Sequence, residues 1–349
     1  MGVPAAMSVH VAGVGLHPFG RFDASLTEMG VAAVSAALAD AAPRGGGRGA
    51  FDVAFCATAY GGVAAGHKVL GALGLAAAPI VNVEAGCASG AAALSLAAAA
   101  VEAGTAGTAL AFGIEKMPRG MVRSSFFEPW REAAGLAATP AYFALRAQRL
   151  MREASLSKDH LAAVVVKNRR HGAANPDAMF SAEVTADEVL ASRVVCEPLH
   201  LWMLCSPNEG AAAVVVRPGD GPRGSVRVAA TSLRSHLPGS VLGEATPLSG
   251  IDDDDIPPPT TLAAADAFTA AGLGPADLDV VECQDTDAAR ELLAYVELGL
   301  CAHEDLAGWV TSGHTRAGGA LPVNVSGGIL ARREPLAASA LGQVVELVL

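Results

Sequence analysis

The chain has 349 residues, 52% of them hydrophobic and 17% charged, with a net charge of −11 and a mean hydropathy of +0.38. The acidic balance excludes a nucleic-acid footprint: the densest basic cluster is Lys167, Arg169 and Arg170, a solvated face or a contact for an anionic cofactor. No run reaches the roughly 18 unbroken apolar residues of a membrane span, and the first residues lack the pattern of a secretory signal.

VHVAGVG (9–15) reads as a strand ending in glycine. Ser25-Leu-Thr-Glu28 is a capping box that opens a helix to Ala42, followed by a glycine loop over 43–49. FDVAFCAT (51–58), PIVNVE (79–84) and TALAFGIEK (108–116) read as strands. Between them lie helical stretches over 67–75 and 87–103. Continuous apolar strands separated by helices imply a sheet covered on both faces. From Met117 to Ser206 charged, aromatic and helical pieces appear, including helices over 139–154 and 158–176, as an inserted lobe. EGAAAVVVRP (209–218) returns to strand character. The second half then offers strands over 226–235, 278–284 and 321–328, helices over 260–272 and 287–300, and a final helix over 329–349. The repeated βαβ rhythm reads as an internal duplication. Residues 1–116 with 207–220 form one half, 117–206 an inserted loop domain, and 221–349 the other half.

The six cysteines show neither C-x-x-C spacing nor zinc spacing with histidine, so neither a metal nor a disulfide framework is expected. The ordinary reading of each is a small buried hydrophobe. Cys87 has a better setting, after the strand PIVNVE and a glycine, at the start of a helix. There the helix dipole favours thiolate, the reactive form, and unpaired N–H groups offer an oxyanion hole. Ser89 and Gly90 are small enough to admit an acyl group.

VEAGCASGAAAL followed by AFGIEKM strongly resembles the nucleophile region of thiolases, where C-A-S-G starts a buried helix and G-x-E-K-M ends the next strand. The resemblance continues in order through VAGVGLHPFGR (11–21), KNRRHGAANPDAMF (167–180; K-N-H-x-x-x-x-N-P in the family), SPNEGAAAVVV (206–216) and LPVNVSGG (321–328). It points to the sterol-carrier-protein-type, or lipid-transfer, branch. It implies an α/β thiolase fold, with duplicated βαβ halves in a five-layer αβαβα sandwich, an inserted loop domain, and a dimer. It also implies a cysteine acylated by a coenzyme A thioester, with coenzyme A arriving as substrate and no separate cofactor.

The departures fall at the catalytic motifs. Where that branch has H-D-C-F, this chain has Gln284-Asp285-Thr286-Asp287; where it has G-H-P, this chain has Arg333-Glu334-Pro335. Gln284 cannot act as a base. Glu334 can accept a proton, but its charge would raise the thiol pKa. Asn324 occupies a position the family also fills with Asn, and Gly327 and Gly328 form its glycine turn. His67, His171 and His314 are the remaining candidates for a replacement histidine, each otherwise a loop or surface residue. The family also continues beyond ALGQVVELVL with further strands, so a truncated chain or a covering partner is expected.

Three functions follow, in order. The first is an acyltransferase working through Cys87 on an acyl-CoA or acyl-carrier-protein thioester. The second is a non-catalytic thiolase-like subunit of a complex. The third is a thiolase-fold retro-aldolase paired with a small zinc-ribbon/OB-fold protein, with Glu334, Asp285 or Asp287 as its base. Condensation without histidines loses general acid–base help worth ~10²–10⁴ in rate, and plain acyl transfer tolerates that loss better. The chain reads as cytoplasmic.

Overall fold

The computed structural model describes residues 7–42, 51–119, 130, 133, 139–222, 224–237 and 256–349; the glycine loop 43–49 and the acidic run 252–255 lie outside them. In chain order the elements are β1 (Val9–Gly20), α1 (Leu26–Asp40), β2 (Val53–Ala57), α2 (Ala65–Ala72), β3 (Ile80–Val83), α3 (Ser89–Glu102) and β4 (Ala109–Lys116). Then come α4 (Thr139–Glu153), α5 (Lys158–Ala174), α6 (Ala186–Ala191), β5 (Val194–Cys196), β6 (Leu199–His200), β7 (Glu209–Pro218) and β8 (Arg227–Val228). The last are α7 (Pro259–Ala271), α8 (Ala288–Glu297), α9 (Leu306–Ser312), α10 (Gly328–Arg332) and α11 (Leu336–Val348). They pack as two compact units. Unit 1 is Met1–Pro118, Pro207–Leu233 and Glu334–Leu349; unit 2 is Arg119–Ser206 and Arg234–Arg333.

Unit 1 is built on a six-stranded sheet in the order β3-β2-β4-β7-β1-β8. Its β3, β2 and β4 run parallel, and the remaining neighbours are antiparallel. Side chains alternate between faces with the period of two that a pleated strand imposes. Along β7, Ala211, Ala213 and Val215 join the core beneath α1 and α2. Ala212, Val214 and Val216 join the core beneath α3 and α11. Both faces are covered, as the unbroken apolar strands require. Glycines set how close the helices come: a Cβ on Gly15 would stand 2.2 Å from Ala33 O, and one on Gly113 2.4 Å from Ala337 O. The capping box at Ser25 forms, with Ser25 Oγ accepting from Glu28 N–H.

Unit 2 is helical. Leu161, Val164 and Val165 of α5 share a core with Leu292 and Tyr295 of α8 and Leu306 of α9. Here the strands expected in the second half take another form. The segment 226–235 contributes only β8, which joins the unit 1 sheet. Residues 278–284 and 321–328 meet through a single parallel bridge, Val281 with Val323. The ladder stops because side chains take over: Cys283 N–H donates to Asn324 Oδ1 at 2.9 Å and Ser326 N–H to Glu282 Oε1 at 2.9 Å. Asn324 also leaves the extended region, with φ +53°. The expected final helix is broken into α10 and α11, because Arg333 adopts φ +80° and Pro335 cannot continue a helix.

Candidate active site

The residues singled out by sequence divide between the units: Cys87, Ser89, Gly90 and Glu334 belong to unit 1, and His171, Gln284, His314, Asn324, Gly327 and Gly328 to unit 2.

In unit 1 the chain leaves β3 and turns at Gly86, whose φ of +57° favours glycine. Gly86–Ala88 form one 3₁₀ turn before α3 begins at Ser89, so Cys87 sits on a tight turn ahead of the helix. The turn is clamped three ways. Glu84 Oε1 accepts from Gly86 N–H at 2.8 Å, Ser89 Oγ donates to Gly86 O at 2.6 Å, and Ser89 Oγ accepts from Ala85 N–H at 2.8 Å. Cys87 itself is half-buried and belongs to none of the hydrophobic cores. Ser89 is fully buried, which makes it a clamp rather than a wall of an acyl pocket. Gly90 is small for packing: a Cβ there would stand 2.8 Å from Ala337 O of α11.

α11 packs directly on the Cys87 turn. Glu334 lies at its entrance, buried and held extended by a bridge to Pro207, with Asn208 N–H donating to Glu334 O at 2.9 Å. Glu334 thus stands at the entrance of the helix that packs on the cysteine turn.

Glu115 lies within AFGIEKM, a motif that by itself assigns it no role. It is fully buried, and its carboxylate accepts from Ala59 N–H (3.0 Å), Tyr60 N–H (2.9 Å), Thr58 Oγ1 (3.5 Å) and Ala337 N–H (3.4 Å). It ties β4, the 58–60 loop and the start of α11 together. Burial holds its carboxyl above the usual range despite these donors. Tyr60 is within electrostatic reach of both Glu115 and Cys87; burial first, then those charges, raise its phenol. A lone acidic residue inside an otherwise apolar strand was the available signal.

In unit 2 Asn324 is fully buried and bonded on every side. Its Oδ1 accepts from Cys283 N–H, its Nδ2 donates to Glu291 Oε2 at 2.8 Å, and its carbonyl accepts from His171 Nδ1 at 2.8 Å. Lys167 Nζ, 6% exposed, pairs with Glu291 Oε1 at 2.7 Å and donates to Val323 O at 2.7 Å. Burial alone would raise the Glu291 carboxyl, but the Lys167 charge with the Lys167, Tyr295 and Asn168 donors holds it below the usual range. Asp285 accepts from Ile329 and Leu330 N–H at the start of α10 and from Asn168 Nδ2 at 2.8 Å. Its burial, then the neighbouring Glu291 charge, push it well above the carboxylate range. Gly327 (φ +98°) and Gly328 (φ +60°) make this approach possible, since a Cβ on Gly328 would stand 2.3 Å from Asp285 Oδ2.

The histidines differ in setting. His171 is buried and uses both ring nitrogens: Ala317 N–H donates to Nε2 at 2.9 Å, so Nδ1 carries the proton donated to Asn324 O. It is a positioning group with no nitrogen left for proton transfer. His314 stacks on Trp309 at 3.9 Å and, with Leu278, Leu300 and Leu321, lines a cavity of about 460 Å³. His67 is exposed on α2. Gln284 is half-buried beside Asp285 in the chain. Arg333 holds φ +80° and ψ +169°, a region almost confined to glycine that costs about 1–3 kcal/mol for other residues. Among the described residues no group of three His, Cys, Asp or Glu is placed to hold a metal ion, and no helix is long and apolar enough to cross a membrane.

This arrangement, a cysteine on a clamped turn between a parallel strand and a helix in a two-faced sheet, is that of the thiolases. The family description "Thiolase, N-terminal domain" matches residues 9–220 and "Thiolase C-terminal domain-like" residues 252–349. The chain belongs to the thiolase family. It is 34% identical over 350 residues to the benzoylsuccinyl-CoA thiolase subunit BbsB of Thauera aromatica, covering 97% of this chain and 88% of that protein. It is 31% identical over 372 residues to sterol carrier protein 2 of Gallus gallus, covering 99% of this chain but only 66% of that longer protein. Among solved structures, the Ltp2-ChsH2(DUF35) aldolase superposes with a TM-score of 0.81 at 26% identity, over 99% of this chain and 91% of that one. Human mitochondrial 3-ketoacyl-CoA thiolase shares the fold, with a TM-score of 0.69 at 16% identity, over 98% of this chain and 91% of that one.

Proposed function

We propose that the protein is a thioester-dependent acyltransferase that works through Cys87. The observation that carries this reading is the Cys87 turn: half-buried, outside every core, clamped by Glu84 and Ser89, and preceding α3. In the first step the Cys87 sulfur attacks the thioester carbonyl, the bond to the departing thiol breaks, and that thiol leaves with the proton Cys87 gave up. In the second an acceptor nucleophile takes the acyl group and Cys87 regains a proton. Glu334, at the entrance of the helix packed on the turn, is the group we assign to move that proton. The donor is an acyl-CoA or an acyl-carrier-protein thioester, no separate cofactor is needed, and the working form is a cytoplasmic homodimer.

Intact-protein mass spectrometry after incubation with acetyl-CoA and longer acyl-CoAs tests this. An acyl adduct is expected on the native chain and none on Cys87→Ala; no adduct across the panel overturns the reading. Glu334→Gln should slow acylation by about 10²-fold, the lower end of general-base assistance, and an unchanged rate removes Glu334 from the mechanism.

A second reading is favoured by Gln284 and Glu334 standing at both histidine positions, together with the likeness to the Ltp2-ChsH2(DUF35) aldolase. On it, the chain is one subunit of a carbon–carbon lyase with a small zinc-ribbon/OB-fold partner, or a non-catalytic subunit of such a complex. Its mark would be a stable complex with such a partner and no acyl adduct on Cys87.

A further inference from the structure

Two departures from the family's motifs converge on one aromatic ring. Arg169 takes the place of histidine in the K-N-H stretch, and Arg333 that of glycine in G-H-P. Both belong to unit 2. The Arg169 guanidinium carbon lies 3.6 Å from the centroid of Phe180, and that of Arg333 lies 4.0 Å from the same centroid. Trp202 stands 5.7 Å from Arg169, and Arg333 Nη1 donates to Ser206 Oγ at 2.6 Å. The ring is fixed from below, because Phe180 N–H donates to Ala331 O of α10 at 3.1 Å.

Arg169 is the anomaly. It is only 6% exposed, its Nε has no hydrogen-bond partner, and no carboxylate among the described residues pairs with it. Its neighbours in the same unit behave otherwise: Arg146 pairs with Asp287, Arg290 with Glu297 and Arg234 with Asp266. Stacking on Phe180 and Trp202 recovers part of the cost of burying a cation but satisfies none of its N–H donors. Burial correspondingly pulls the guanidinium below its usual pKa. Arg333 adds a second positive charge on the same ring, from a backbone conformation that glycine would occupy without strain. Arg169, unpaired beside a second guanidinium on the same ring, is a buried positive charge that one anion would balance.

We propose that Arg169 and Arg333, with Phe180 and Ser206, form an oxyanion site that binds a carboxylate on the acyl chain of the thioester substrate. The planar fork of arginine matches a carboxylate through paired N–H bonds. Arg333 directly precedes Glu334 in the sequence, the group assigned above to move the proton, and this adjacency favours the acyl chain over coenzyme A as the carrier of the anion. The assignment to the acyl chain rests on the thioester chemistry proposed above, whereas the unpaired Arg169 stands independently of it.

The test reads binding and not turnover, so it is separate from the fate of Cys87. Calorimetric titration of the full chain carrying Cys87→Ala would compare succinyl-, glutaryl- and adipyl-CoA with butyryl-, pentanoyl- and hexanoyl-CoA. At least one carboxylated thioester should bind about 10–100-fold tighter than its methyl-ended counterpart, the range for hydrogen bonds to a charged group. Adding Arg169→Gln should bring each pair to near parity while leaving the methyl-ended thioesters within about twofold. Arg333→Gly should do the same, and it keeps the test informative if Arg169→Gln unfolds, because glycine suits φ +80°. Equal binding of the paired thioesters by the parent overturns the proposal. So does an equal weakening of both classes in the arginine variants, which would place a coenzyme A phosphate there instead.

Discussion

The two units satisfy their buried polar groups by opposite means. In unit 1 a six-stranded ladder pairs the backbone with itself, and small side chains let helices lie directly on the sheet. In unit 2 the second-half strands make one bridge, and Lys167, Asn168, Asp285, Glu291 and Asn324 form a buried network in the ladder's place. The lesson concerns where each unit is vulnerable. A fold held by its backbone is sensitive to added volume, while one held by buried side chains is sensitive to the loss of a single charge.

The largest effect should come from the same substitution made in both units. Lys167→Met removes the cation paired with Glu291, a fully buried carboxylate, and should cost about 3–5 kcal/mol. Lys116→Met in unit 1 should cost about 1 kcal/mol. Its side chain is 34% exposed, and Glu209, its partner, keeps Arg21 at 2.9 Å and Phe22 N–H at 3.1 Å. Urea unfolding measures both. Trp130, Trp202 and Trp309 all fall in unit 2, so fluorescence follows that unit and far-UV circular dichroism follows the whole chain. Equal losses would break the comparison.

Next in size is volume added to unit 1. Gly113→Ala places a Cβ 2.4 Å from Ala337 O and 2.8 Å from Ala338 Cα, both backbone, so α11 must shift. Overpacking of this kind costs about 1–3 kcal/mol. Gly71→Ala in α2 meets nothing within 4 Å and should stabilise by about 0.5–1 kcal/mol through helix propensity and a less flexible unfolded chain. Opposite signs in thermal melts are expected; a destabilised Gly71→Ala would mean that propensity is not what limits this helix.

The contrast between the units also governs what could be read from sequence. Continuous apolar strands, the capping box at Ser25 and the small residues around Cys87 were legible, because each is a local pattern acting on its own neighbours. The family could be read from motifs in order. Glu115 could not be given its role, because its partners Ala59, Tyr60 and Ala337 are brought to it only by the fold. Asn324 drew attention as a position the family also fills with Asn; its bonds to Cys283 and Glu291, 41 and 33 residues earlier, could not be read from the sequence. The halt of α10 before Pro335 was missed in the expected helix over 329–349, although that proline is its local signal. The backbone strain at Arg333 was not, since nothing in the letter R indicates φ +80°.

The smallest predicted effect separates a structural histidine from a catalytic one. His171 is held neutral: burial lowers its pKa from the ordinary 6.5 and outweighs its bond to Asn324 O, and Lys167 lowers it further. The unfolded chain takes up a proton near pH 6.5, while the folded chain does so only at lower pH. Stability from His171 is therefore complete above pH 6.5 and is lost as pH falls toward the folded value. The slope contributed is at most about 1.4 kcal/mol per pH unit within that window. His171→Gln should lower stability at neutral pH through weakened bonds to Asn324 and Ala317, yet flatten the decline between pH 7 and pH 5.5. His236, whose pKa burial also lowers, contributes equally to both proteins and cancels in the difference. Parallel pH profiles would show that His171 is protonated in the folded chain, which the N–H of Ala317 pointing at Nε2 does not allow.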